Sequence, residues 1–147
     1  MKKILFLIAL VIGLGSPLLA QDLSKDYIVV DKSAINFAQL QSLYSGQANA
    51  FINESTKPAP YVVAAMLQGR QVVDLHLFAA TKPGSLIFNS VTITTDNASG
   101  FSQFFKSWKS SVTGKVVVHS TDVFTTSEGE ALKTILAELT GLDFITL

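Results

Sequence analysis

The chain has 147 residues, no cysteine, and eleven Lys plus Arg against eleven Asp plus Glu. That balance gives no electrostatic reason to expect nucleic acid or an anionic membrane surface as a partner, since both need clustered cations. The missing thiol excludes disulfides, thiol nucleophiles and lipid attachment to a cysteine, which leaves packing and hydrogen bonds to hold the fold.

Lys2 and Lys3 precede an apolar run from Ile4 to Leu14, followed by Ser16, Pro17 and the small Ala20. This is the order of a secretory signal peptide. The run is about a dozen residues, short of the ~20 that cross a bilayer as a helix. Cleavage after Ala20 is the expectation, with residues 1–20 a leader and 21–147 one exported domain, periplasmic or extracellular, without a stable membrane anchor. The mature portion would carry nine basic and eleven acidic side chains, a net charge near minus two. A domain of that size buries roughly two thirds of its unfolded surface, enough for one core.

"DYIVVD" at 26–31 reads as a strand, and "INFAQLQSLY" at 35–44 as a helix with Ile35, Leu40 and Leu43 on one face. "ANAFIN" is the second strand. Pro58 and Pro60 set up a helix start, "YVVAAMLQG" follows, and Gly69 stops it. "VVDLHLFA" is a third strand, nearly all apolar, as expected of a strand covered on both faces. "SLIF" and "VTITT", separated by Asn89 and Ser90, predict a small accessory hairpin. Phe101, Phe104, Phe105 and Trp108 recur at helical steps and predict a helix over 97–110 packed on the sheet. "KVVVHS" is the fourth main strand, Ser127 with Glu130 forms a capping-box pattern, the following helix stops at Gly141, and "DFIT" is a last strand. Alternating strands and helices with short links predict a three-layer α/β sandwich, a mostly parallel sheet with helices on both faces, plus the small β-hairpin.

In such a sheet ligands gather outside the carboxyl ends of the strands, near the point where strand order reverses. Here those ends are Asp31 and Lys32, Asn53 and Glu54, Ala79 to Lys82, and His119 to Asp122. No Gly-x-Ser-x-Gly elbow and no glycine-rich phosphate loop occurs. A hydrolase would use Thr121 or Ser120 as nucleophile with His119 as base. Neighbouring strand residues point to opposite faces, which places His119 and Ser120 poorly for sharing a proton. Asp74 and His76, two apart on one strand face, form a potential metal pair, extended by His119 in a metal or ligand module; mid-strand burial favours a hydrogen-bonded structural histidine. No metal and no cofactor is expected.

Three stretches, "YIVVDKSAINFAQL", "VVDLHLFAATKPGSL" and "GKVVVHSTDVFTTSEGEALKTILAELTG", together resemble the caspase-like domain of unknown function found near the start of very large secreted bacterial repeat proteins and adhesins. The resemblance covers nearly all of residues 26–146. It implies a caspase- or flavodoxin-like fold in a branch of the caspase and clostripain cysteine peptidases. Matched on Pro83 to Leu86, the family's catalytic His falls on Ala80 and its next Gly on Thr81. Matched on Asp122 and Val123, the family's Cys falls on Thr121 and the preceding Gly on Ser120. Both dyad positions are replaced, and alanine has nothing to titrate. Family domains usually continue past the strand after Gly141, so part of the specificity surface is expected to be missing. The resemblance therefore implies a non-catalytic pseudopeptidase that binds an envelope or surface protein or a peptide in a small polar cleft. Ala79, Ala80, Lys82, His119, Ser120, Thr121 and Asp122 would line that cleft.

Overall fold

The computed structural model describes residues 25–147, so the leader expected over residues 1–20 lies outside the described residues. Strands β1 (Tyr27–Asp31), β2 (Ala50–Asn53), β3 (Leu75–Phe78), β7 (Val116–Val118) and β8 (Phe144–Thr146) form one sheet in the order β2-β1-β3-β7-β8. Every neighbouring pair in it is parallel. The β1, β3 and β7 residues are all buried, as β-branched and aromatic runs must be when helices cover both faces.

The alternation of side chains divides the core in two. Tyr27, Val29, Leu75, Leu77, Val116 and Val118 point to the side where Val63, Phe105, Trp108, Leu132 and Leu136 pack. These come from helices α2 (Ala59–Leu67), α3 (Ser102–Trp108) and α4 (Ser127–Thr140). Ile28, Val30 and Phe78 point to the other side, where Leu40 and Tyr44 of α1 (Phe37–Tyr44) meet them. Trp108 is fully buried, and its indole N–H donates to the Pro60 carbonyl at 3.3 Å, which satisfies the one polar atom that the core encloses with it.

Several local expectations shift. The first helix starts at Phe37, and Ile35, assigned to its apolar face, stands 92 % exposed in the preceding turn. The cap of α4 is Thr126, whose hydroxyl accepts the Gly129 N–H at 3.1 Å; Ser127 is already helical and bonds Glu128. The third strand begins at Leu75, because Val72 pairs instead with Val112 in an isolated bridge. The aromatic stripe is held partly by a 3-10 turn, Ala98–Phe101, leading into α3.

The accessory hairpin has a third member. β4 (Ala80–Lys82) pairs antiparallel with β5 (Ser85–Ile87), which pairs with β6 (Thr92–Ile93). Lys82 faces Ser85 across the two-residue Pro83-Gly84 turn, and Gly84 takes φ +76. Proline presets the first turn position and glycine supplies the left-handed second. The stretch after β3 is thus a strand of a small sheet, and its turn is tied to the β7 exit by the Gly84 N–H on the Val123 carbonyl at 3.0 Å.

Candidate functional site

Because β1 is followed by β2 on one side and β3 on the other, the strand order reverses between β1 and β3, where open α/β sheets place ligands. A cleft of about 280 Å³ lies there. The β1 exit contributes Ala34, Ile35 and Asn36, the β3 exit Phe78, Ala79 and Thr81, and the β7 exit His119 to Asp122. Leu40 and Leu147 complete the walls.

The expected cleft residues divide accordingly. Ala79, His119, Ser120, Thr121 and Asp122 line it, whereas Ala80 and Lys82 do not. Pairing with Ile87 in β4 turns Ala80 away, and Lys82 at the hairpin end is exposed to solvent. The walls are more apolar than expected, through Ala34, Ile35, Leu40, Phe78 and Leu147.

Ala80 and Thr121 lie on neighbouring segments joined by the residue beside each. Thr81 Oγ1 lies 2.7 Å from Ser120 Oγ and donates to Asp122 Oδ1 at 2.8 Å. Ser120 Oγ accepts the N–H groups of Asp122 and Val123 at 3.2 and 3.1 Å, and lies 3.1 Å from Asp122 Oδ1 as donor. Both oxygen lone pairs of Ser120 are therefore occupied, and its proton is directed into the cluster. Thr121 is exposed and its hydroxyl has no hydrogen-bond partner among the described residues.

The chain's two histidines bond to each other, and to neither hydroxyl. Parallel pairing sets His76 beside Ile28 and Val117, so Asp26, two residues before the first, and His119, two after the second, share its face along a diagonal across the three strands. His76 Nε2 donates to Asp26 Oδ2 at 3.0 Å, since a carboxylate only accepts. In neutral His76 that leaves Nδ1 as an acceptor, which takes the His119 Nε2 proton at 2.9 Å. His119 Nδ1 is then a bare lone pair, buried without a partner, while part of the ring meets the cleft. Phe78 stacks on that ring at 3.9 Å between centroids and 7° between planes. Burial, reinforced by the charge His76 can carry, pushes the His119 pKa down to about 3.

Asp74 and His76 do come together, and with a third group the sequence reading did not include. Ligand atoms of Asp26, Asp74 and His76 all lie within 4.8 Å of one another. Each is committed elsewhere. Asp26 Oδ1 accepts the Asp74 N–H, and Asp74 accepts both the Lys115 N–H at 2.9 Å and its ammonium at 3.2 Å. A cation would have to displace that ammonium, so the donor set fits a hydrogen-bonded network better than a metal centre.

Asp31, named in the sequence only as the end of the first strand, is fully buried and ties the strand exits together. It accepts the Asn53 amide at 2.7 Å and the N–H groups of Ser33 and Asn89 at 3.0 and 2.7 Å, pinning the first two strand exits to the hairpin. Its only sequence signal is a carboxylate closing an apolar run, which many surface strands share. Thr81 fell within the third strand's exit, but its bonding role was not legible, because its partners lie 39 and 41 residues away.

No curated protein and no solved structure matches the chain. Residues 27–146 match a family described as a domain of unknown function, DUF4347. That span takes in every strand of both sheets and all lining residues of the cleft except Leu147, and the chain belongs to the DUF4347 family.

Proposed function

We propose that this chain is an exported, non-catalytic domain of caspase type that acts by binding a protein or peptide at the cell envelope or surface, in the cleft between the β1, β3 and β7 exits. The Lys2 to Ala20 pattern supports export. The five parallel strands in the order β2-β1-β3-β7-β8 and the retained Pro83-Gly84 and Asp122-Val123 pairs support the caspase-type reading.

The observation that carries the non-catalytic reading is the hydrogen bonding of the β7 exit. Acyl transfer needs an activated nucleophile and free donors for the oxyanion. Ser120 has no free lone pair, and Thr121 has no base. The N–H groups of His119 and Ser120 donate to the Leu77 and Leu147 carbonyls, and those of Asp122 and Val123 to Ser120 Oγ, which leaves a single free N–H, that of Thr121, among residues 119–123. Binding is favoured by Ile35, since a large apolar side chain left in solvent at a concave rim marks a contact surface more often than a packing failure.

Incubation of purified protein with a mixed peptide library, read by mass spectrometry, tests this. No cleavage is expected. Turnover that Thr121→Ala or Ser120→Ala abolishes would overturn the reading, and labelling by a fluorophosphonate that is lost in His119→Ala would establish the hydrolase alternative instead.

A further inference from the structure

We infer that the cleft receives a cationic side chain of the partner polypeptide, its aliphatic stem along Phe78, Leu40 and Ile35 and its charge against Asp122; this rests on the binding reading above.

The inference comes from counting donors and acceptors. Asp122 is the only charged side chain in the lining, and Lys and Arg are absent from it. The salt bridges among the described residues join Asp26 to His76 and Asp74 to Lys115, so Asp122 has no cationic partner there. Its Oδ1 holds the hydroxyls of Thr81 and Ser120, while Oδ2 accepts nothing among the described residues. Apart from the N–H and hydroxyl of Thr121, the donors of the β7 exit point inward. Thr81 gives its proton to Asp122, Ser120 gives its own into the same cluster, and the amides of residues 119, 120, 122 and 123 are spent within the protein.

Behind the apolar wall, His119 adds a second acceptor, the unpartnered Nδ1, on a ring that burial keeps neutral. An anionic ligand would meet the Asp122 carboxylate with few donors to offset it, and the buried His119 lone pair adds to the negative potential there. A ligand that brings N–H donors and positive charge meets an acceptor-rich floor. The walls suit the stem of lysine or arginine, which buries its methylenes and keeps its head polar. Thr121, exposed at the edge, can serve either role toward the partner backbone.

The test uses three blocked dipeptides, acetyl-leucyl-lysine, acetyl-leucyl-norleucine and acetyl-leucyl-glutamate amides, titrated into ¹⁵N-labelled protein with amide shifts recorded. The lysine peptide is expected to give saturable shifts at Thr81 and at residues 119–123, at least about tenfold tighter than norleucine, the equivalent of one favourable charge contact. Asp122→Asn should erase that preference. Should the variant lose its fold, a salt series on the unmodified protein reads the same interaction, since raising salt from about 0.05 M to 0.5 M should weaken the lysine peptide and leave norleucine unchanged. Norleucine or glutamate binding these residues as tightly as lysine would overturn the cationic inference and leave the binding reading intact. No saturable shift at the cleft from any peptide would overturn the inference too, and cleavage of a peptide would instead overturn the non-catalytic reading beneath it.

Discussion

Replacing His119 by glutamine should flatten the acid side of the stability curve. Glutamine can still donate to His76 Nδ1 from the place of Nε2, so the variant removes the titration while retaining the contact. The folded-state pKa of His119 lies near 3, below the ordinary value of 6.5, first because the ring is buried and second because of His76. Between those values the unfolded chain binds a proton that the folded protein refuses. Stability conferred by this group is therefore intact above about pH 6.5 and falls as pH decreases toward 3, with a slope approaching ~1.4 kcal/mol per unit. Integrated from about pH 7 to pH 5, the loss is about 2 kcal/mol, or nearer 1 when the solvent contact of the ring edge is allowed for. Carboxylates titrate mostly below that window. Urea denaturation of both proteins at half-unit steps would measure it. Wild type should lose about 1 to 2 kcal/mol more than His119→Gln. Parallel curves would refute the burial of a neutral His119 and the direction of the hydrogen-bond relay with it.

Gly84→Ala should lower stability by about 1 to 2 kcal/mol, because the backbone sits at φ +76 and an added Cβ would stand 3.0 Å from Glu128 Cβ. The loss, measured by thermal unfolding, should be accompanied by shifts of the Val123 amide as the hairpin turn moves off the β7 exit. Asp31→Ala leaves the donors of Asn53, Ser33 and Asn89 without their carboxylate, and should cost about 3 kcal/mol or more in urea denaturation. A loss below about 1 kcal/mol would mean that water replaces the carboxylate and that Asp31 does not organise the strand exits.

The particular residues show where sequence reading succeeds. Tyr27 to Val30 is a continuous apolar run and Leu75 to Phe78 one interrupted only by His76, both legible as covered strands without any partner in view. Phe105 and Trp108 follow helical spacing into the core. Gly141 closes α4 at φ 72, as a glycine after a periodic run should. The failures are local as well. Thr126 and Ser127 are adjacent hydroxyls of nearly equal capping strength, and only the path of the chain from Val123 selects the first. Ile35 fits the helical period, but the β1 exit turns before it and leaves it in solvent.

The sequence by itself determined the element order, the parallel sheet with helices on both faces and the edge of the sheet where a ligand would lie, because periodicity, turn residues and connection length act within a few residues of each other. Only the tertiary structure decided what that edge can do. His76 meets Asp26 across 50 residues and His119 across 43, and Thr81 meets Asp122 across 41. Such contacts depend on strand order and register, and a register slip of one residue would turn each of these side chains to the other face.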